Sequence, residues 1–234
     1  MPNARKPSKS SDSRSSSSES VENFLKAVYA LQQHSERVST NALAAHLGVK
    51  PPSVTDMARR MVETKMIDHQ KYYGVRLTQL GEITALAVIR RHRLIELYLV
   101  RELGYPLYEV HAEAERLEHA VSERFISALD SKLGYPEIDP HGDPIPSAEG
   151  HIAASSGIPL IELALNIEAR VARLNTSNSE MLEHLVNRSI TLGDTITVRS
   201  RDPFDGPLRL VVNGQAKTLG YKAAACVMVE AKEG

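Results

Sequence analysis

The chain has 234 residues, of which 42% are hydrophobic and 24% are charged, and its formal net charge at pH 7 is -1. This ordinary globular balance excludes fibrous classes, and a single cysteine, Cys226, excludes a disulfide-stapled one. No apolar run approaches the ~18 residues of a membrane span and no signal-peptide core follows the N-terminus, so we expect a cytoplasmic protein with no membrane partner.

Charge is unevenly distributed along the chain. Residues 50–101 contain ten Lys or Arg and five acidic residues, whereas residues 102–149 contain eleven acidic residues and three basic ones. This asymmetry predicts one surface for an anionic polymer and another surface for cations.

The N-terminal segment changes character near residue 20. Nine serines lie in the first 20 residues, with too little apolar surface to offset the entropy of ordering, so we predict a disordered tail over residues 1–19. From Val21, apolar residues recur every three or four positions, which predicts a helix over about 21–34 with Ser20 as its N-cap.

Residues 38–62 have the pattern of a helix-turn-helix. Ser39 or Thr40 can cap a short helix that ends at Gly48, and the pair Pro51-Pro52 opens another helix. Two short strands about Tyr73-Gly74 follow and predict a wing, so residues 20–78 form a winged helix that reads double-stranded DNA. The residues expected to face the groove are Ser53, Thr55, Asp56 and Arg59, and those placed for phosphates are Lys50, Arg60, Lys71 and Arg76.

The rest of the chain predicts a mainly α protein with a C-terminal β domain. A long helix ends near Glu102 and a second helix runs over about 108–133, so we expect a helical domain over residues 79–145. Its apolar faces, which include Leu94 and Phe125, exceed what one short bundle needs and indicate a homodimer. A linker over 146–164 and short β runs follow, which predict a small β-barrel over 165–234.

Six potential metal ligands lie on the two central helices. His92 and Glu96 are four residues apart, and a second set with spacings 0, 4, 7 and 8 shares one face of the second helix: His111, Glu115, Glu118 and His119. A lone His–Glu pair on a helix is ordinarily a solvated surface pair. Glutamates one turn apart repel each other unless a cation lies between them, and this favours a metal site.

This order of motifs resembles the DtxR/MntR family of iron- and manganese-dependent transcriptional repressors. The resemblance rests on the helix-turn-helix, the wing, Arg91-His92-x-x-x-Glu96 and the cluster from His111 to His119, and it covers about residues 20–234. It implies a FeoA-like C-terminal domain and recognition by the start of the second helix of the motif, at Pro51, Pro52 and Ser53. It also implies two metal sites, one of His92, Glu96 and His111, the other of Glu115, Glu118 and His119.

The resemblance also implies the metal and the response to it. Where iron-type members have a cysteine, this chain has Glu115, and hard carboxylates with imidazoles favour Mn²⁺, with Fe²⁺ as the alternative. A first-helix ligand of the family aligns with Asn23, so Asn23 or Glu22 is expected to contribute. The hypothesis is that metal fastens residues 22–23 to residues 111–119 and so fixes the spacing of two recognition helices in the dimer.

Two other functions remain open on the sequence. The first is a metal-independent winged-helix regulator that responds to an organic ligand, with the acidic helix merely exposed. The second is a metal-dependent hydrolase that uses the same ligands, which is disfavoured because no nucleophile motif or nucleotide loop accompanies them.

Overall fold

The computed structural model describes residues 12–155 and 157–231 and divides the chain into two compact units. The first contains the chain up to Arg90 together with Pro146–His151, and the second contains Arg91–Ile145 and the chain from Ile152. None of the helices in the described ranges combines the length and apolar composition needed to span a bilayer.

The first unit is a winged helix. Three helices, α1 (Asp12–Gln32), α2 (Thr40–Leu47) and α3 (Pro51–Glu63), precede the antiparallel strands β1 (Ile67–Gln70) and β2 (Gly74–Leu77). The start of helix α4 (Gln79–Leu103) completes the unit. The core of the unit contains Phe24, Leu25, Leu43, Val54 and Val75, which are all fully buried.

The predicted helix boundaries within the motif are confirmed. Ser39 is the N-cap of α2 and its side chain accepts a hydrogen bond from the Ala42 amide at 3.1 Å. Gly48 ends α2 with a left-handed φ of 65°, a conformation that costs glycine little.

Helix α1 begins nine residues earlier than Val21, so Ser20 lies inside the helix and is not its N-cap. Extending a helix costs much less than nucleating one, and the apolar face from Val21 onward anchors this extension. Helix α1 therefore includes part of the predicted tail of residues 1–19, while residues 1–11 lie outside the described range.

The prediction of one helix over about 108–133 is wrong. The second half of α4 is followed by two helices, α5 (Val110–Leu117) and α6 (Glu123–Lys132). Ser122 has an extended backbone and its side chain accepts a hydrogen bond from the Phe125 amide, so it caps a new helix where the pattern had indicated continuity.

The C-terminal part of the second unit is a six-stranded antiparallel sheet with two short helices. The strands are β3 (Ile158–Pro159), β4 (Glu168–Leu174), β5 (Thr195–Arg201), β6 (Leu208–Val212), β7 (Gln215–Leu219) and β8 (Val227–Ala231), in the order β3-β8-β4-β5-β6-β7. A 3₁₀ helix (Leu160–Glu162), α7 (Ser179–Val186) and α8 (Tyr221–Ala225) complete it.

This sheet is open, so the predicted small β-barrel is corrected. The edge strands β3 and β7 each pair on one side only, with β8 and β6 respectively. The predicted linker of residues 146–164 contains strand β3 and the 3₁₀ helix. Its end therefore belongs to the C-terminal sheet, since Ile158 and Pro159 pair with β8. The predicted fold class, mainly α with a C-terminal β domain, is confirmed.

Candidate metal centre and nucleic-acid interface

Two helices of the second unit bring imidazole and carboxylate groups together. Helix α4 carries His92 and Glu96 on one face, since these residues are four apart. Helix α5 carries His111 and Glu115, and Glu118 is its C-cap. His92, Glu96 and Glu118 are buried, which is unusual for charged side chains without partners.

The first group of donors is His92, Glu96 and His111, as the sequence predicted for one site. His92 Nε2 lies 3.0 Å from Glu96 Oε1 and 3.1 Å from His111 Nδ1. His111 Nδ1 in turn lies 3.3 Å from Glu96 Oε1. Three donor atoms from two helices therefore face one point.

The second group joins the same histidine to two glutamates. Donor atoms of His92, Glu115 and Glu118 lie within 4.8 Å of one another, and His92 Nδ1 is 2.5 Å from Glu118 Oε2. His119 is not a member of this group, but its Nε2 contacts the group member Glu118 at 3.3 Å from Oε1. Since the two groups share His92, they form one continuous cluster, which we call the donor cluster.

Electrostatics holds the donor cluster together as ion pairs. Burial lowers the pKa of His92, but hydrogen bonds to Glu118 and Glu96 outweigh burial and raise it to about 9. Burial raises the pKa of Glu96, whereas hydrogen bonds from His111, His141 and His92 hold it well below its ordinary value. The proton that His92 keeps thus compensates part of the carboxylate charge that a divalent cation would otherwise neutralise.

Sequence reasoning missed His141, to which it gave no role. Its Nε2 lies 3.5 Å from Glu96 Oε1, while its buried Nδ1 has no hydrogen-bond partner among the described residues. His141 is 30 residues from His111 in the chain and follows α6, so no helical periodicity could have linked it to the other donors.

The donor set fits a hard or borderline divalent cation. It consists of imidazole nitrogens and carboxylate oxygens, and Cys226, at the end of α8, is outside both groups. Oxygen and imidazole donors suit Mn²⁺ and Fe²⁺, whereas thiolate donors favour softer ions.

Two sequence-predicted ligands belong to the other unit. Glu22 and Asn23 lie on α1 and are half-buried. Within the part of the chain that the structure describes, neither is a member of the two groups of converging donors.

The residues predicted to meet DNA are all solvent-exposed in the first unit. Helix α3 buries Val54, Ala58 and Met61 and turns the opposite face outward. Val62 is exposed on the outward face, whereas Ala58 is buried. The exposed residues on α3 and around the wing are Lys50, Pro52, Ser53, Thr55, Asp56, Arg59, Arg60, Lys71 and Arg76.

Ion pairs already engage some of these residues. Arg59 contacts Asp56 at 3.3 Å across one helical turn, so their charges partly cancel on the exposed face of α3. Arg76 lies 3.2 Å from Asp68 and 3.7 Å from Glu36. Lys71 Nζ stands 5.0 Å from the centre of the Tyr72 ring at the tip of the wing, and no ion pair holds Arg60 or Lys71 among the described contacts.

A winged helix followed by a buried His/Glu cluster is the architecture of a metal-dependent DNA-binding regulator. Family models match in the same order: an iron-dependent repressor N-terminal DNA-binding domain over residues 17–75, an iron-dependent repressor metal-binding and dimerisation domain over 78–147, and a FeoA domain over 158–231. The chain belongs to the iron-dependent repressor family, which confirms the resemblance to DtxR/MntR repressors.

Matches to known repressors cover nearly the whole chain. A manganese-dependent transcriptional repressor solved in complex with manganese is 37% identical with a TM-score of 0.82, and the match covers 90% of this chain and 99% of that one. The apo form of the manganese-activated repressor ScaR is 33% identical with a TM-score of 0.75, over 89% and 99%. The diphtheria toxin repressor of Corynebacterium glutamicum is 27% identical over 92% of this chain and 98% of its own length.

These relatives are transcriptional repressors and not enzymes, so the hydrolase alternative falls away. The chain is a metal-dependent DNA-binding repressor with a dimerisation domain.

Proposed function

We propose that this chain is a manganese-responsive repressor that binds its operator as a homodimer and represses metal-uptake genes when the donor cluster holds Mn²⁺. The observation that carries the proposal is the convergence of His92, Glu96 and His111 with Glu115 and Glu118. This set contains no sulfur, and its members His92, Glu96 and Glu118 are buried. Fe²⁺ is the alternative metal, because it takes the same donors.

The residues of the donor cluster would form two adjacent metal sites. His92, Glu96 and His111 would form one site and Glu115, Glu118 and His119 the other. His92 also lies beside Glu115 and Glu118, and His141 would be an additional ligand beside Glu96. A bound divalent cation would provide the positive charge that the protonated His92 ring provides in the metal-free protein. Ligand residues must release those protons when the metal binds.

Metal binding reaches DNA through helix α1 in this proposal. Glu22 or Asn23 would join the ligands, so that α1, the first helix of the winged helix, is fixed relative to its counterpart in the other protomer. Two recognition helices would then meet half-sites about one turn, ~34 Å, apart. Metal and DNA affinities must strengthen each other by the same factor, since coupling between two binding sites is reciprocal.

The test is DNA binding as a function of metal. Random double-stranded DNA would first be selected for binding to the full chain in Mn²⁺, and the selected fragment would then be used in mobility shifts with Mn²⁺, anaerobic Fe²⁺, Zn²⁺ or chelator. We expect a shift in Mn²⁺ that chelator abolishes. A stronger shift in Fe²⁺ than in Mn²⁺ would assign the iron alternative.

A matched variant separates metal sensing from DNA contact. Glu96→Gln should lose the Mn²⁺-dependent shift, whereas Glu102→Gln, on the same helix but outside both donor groups, should keep it. Equal DNA binding with Mn²⁺ and with chelator would instead favour the metal-independent regulator.

A further inference from the structure

A short hairpin-like segment, Glu137–Ile145, presents His141 to the donor cluster; we call it the strap. Its two arms are joined by hydrogen bonds from the Asp139 amide to the Asp143 carbonyl (2.9 Å) and from the Ile145 amide to the Glu137 carbonyl (2.8 Å). Asp139 Oδ1 also accepts hydrogen bonds from the amides of His141 and Asp143. The strap is therefore internally ordered, with His141 at its turn.

The strap is attached to strand β4 of the C-terminal sheet. The Leu174 amide donates to the His141 carbonyl at 2.8 Å, and Arg173 Nη1 lies 3.0 Å from Asp143 Oδ1. At Gly142, where φ is +90°, any side chain would collide with the carbonyl oxygen of Ala172. Strand β4 pairs with β5 only as far as Arg170, and the strap lies beside the remainder of β4.

The strap is attached on its other side to helix α4. Arg93 Nε lies 3.5 Å from Asp139 Oδ2, and Arg93 Nη1 donates to the Pro144 carbonyl. Arg93 directly follows the donor His92 in the chain. Between these two attachments, His141 Nε2 stands 3.5 Å from Glu96 Oε1.

The attachment through Arg173 is mostly shielded from water. Its side chain is 16% exposed and that of Asp143 is 24% exposed, so the pair is less screened than a surface ion pair. A ligand that is already held in place loses less conformational entropy when it binds metal than one on a loose loop.

We propose that Arg173 is a positioning residue for the metal centre: by holding Asp143 it keeps His141 beside Glu96, so the C-terminal domain sets the metal affinity of the helical domain. This inference rests on the proposed function, because it assigns His141 to metal binding. Among the described contacts, Arg173 pairs with Asp143 of the strap and belongs to neither group of metal donors.

The test compares Mn²⁺ affinity of the full chain in two arginine variants of one strand. Arg173→Gln removes the nearer of the two guanidinium groups that contact Asp143, the other being Arg93 at 3.8 Å, and we expect about tenfold weaker Mn²⁺ binding, in the range found for groups that orient metal ligands. Arg170→Gln is the control, because Arg170 is more exposed and pairs with Glu230 at 3.3 Å. Its Mn²⁺ affinity should equal that of the unmodified chain, and equal losses in both variants would overturn the proposal.

A second pair of measurements separates positioning from loss of folding. With His141→Ala already present, Arg173→Gln should cause no further loss of Mn²⁺ affinity; a further tenfold loss would overturn the proposal. Asp143→Asn removes the carboxylate that pairs with Arg173 at 3.0 Å and with Arg93 at 3.8 Å, so it should weaken Mn²⁺ binding at least as much as Arg173→Gln. In the metal-free protein, Arg173→Gln should speed hydrogen exchange at the Leu174 amide, and unchanged exchange there would count against it.

The outcomes also distinguish this inference from the proposed function. If the unmodified chain binds no Mn²⁺, the proposed function fails. If it binds Mn²⁺ and Arg173→Gln binds equally well, only the role of Arg173 fails.

Discussion

His92 occupies the centre of the donor cluster. Its two ring nitrogens contact carboxylates from different segments, Glu96 on α4 and Glu118 at the end of α5. Burial alone would leave the ring neutral, but the two carboxylates keep it protonated. The metal-free cluster is thus electrically compensated by protons, and this makes metal binding depend on pH.

We predict that Mn²⁺ affinity rises with pH up to about 9. The pKa of His92 is raised from 6.5 to about 9, so at pH 7 its ring carries a proton that metal must displace. Each released proton contributes about a tenfold gain in affinity per pH unit in this range. Titration calorimetry in two buffers of different ionisation enthalpy would measure the release, and an affinity that is flat from pH 6 to 8 would contradict it.

The raised pKa of His92 also predicts that the metal-free chain becomes less stable as the pH rises towards 9. A raised folded-state pKa contributes stability that is fully present below the unfolded value of 6.5 and is lost as the pH rises through about 9. Thermal unfolding in chelator should therefore show a lower midpoint at pH 9 than at pH 6.5. His92→Gln should flatten this dependence.

Glu96 has the most histidine contacts of the described cluster, with His92, His111 and His141 around one carboxylate. We predict that Glu96→Gln weakens Mn²⁺ binding by about 100-fold, since it removes both a ligand charge and the partner of three imidazoles. Competition with a metal-sensitive dye would measure the loss. Glu102→Gln is the matched control, and equal affinities in the two variants would remove Glu96 from the ligand set.

Helix α3 and the wing form the polar surface of the first unit. The outward face of α3 combines small polar side chains with Arg60, and the wing tip places Lys71 beside Tyr72. Gly74 allows the wing to pack closely, because its φ is +104° and a side chain there would collide with the Val38 carbonyl. This contact holds the wing against the segment that precedes α2.

We predict that Arg60→Ala and Lys71→Ala each weaken binding to all DNA sequences and reduce the slope of log affinity against log salt by about 1. A lost phosphate contact releases fewer counterions and carries no sequence information. Fluorescence anisotropy in Mn²⁺ at several salt concentrations would give the slope. Lys222→Ala, an exposed lysine of α8, is the control, and an unchanged slope for Arg60 or Lys71 would exclude that residue from phosphate contact.

The whole protein acts as a dimer, and much of the apolar surface that the sequence offered for the interface is buried within one chain. Leu94, Ile95 and Leu97 belong to the core of the second unit, whereas Phe125 on α6 is 47% exposed. Phe125 is therefore the member of that predicted face with apolar surface left for a second copy.

We predict that Phe125→Glu weakens dimerisation at least about tenfold, because burying a carboxylate in an apolar contact is unfavourable. Sedimentation equilibrium in Mn²⁺ would measure the dimer constant. Phe204→Glu, at a fully exposed phenylalanine in the turn between β5 and β6, is the matched control. If the two variants dimerise alike, Phe125 lies outside the interface.

The local sequence pattern was sufficient to predict many helix ends and several residues that share a helix face. Ser39, Gly48 and Pro51 mark helix ends through backbone chemistry that acts over a few residues, and the four-residue spacing of His92 and Glu96 places both on one face. The order of such motifs along the chain also carried the resemblance to the DtxR/MntR family, which implied the dependence on metal. The break at Ser122 was missed because apolar periodicity continues on both sides of it.

Only the tertiary structure revealed the contacts between segments that are distant in the sequence. His141 reaches Glu96 because the strap is held between α4 and β4, and the sheet stays open because its edge strands find no partner in each other. Periodicity reports which residues share a face of one element, but it carries no information on which elements pack together. That choice depends on the sum of burial and pairing over the whole chain.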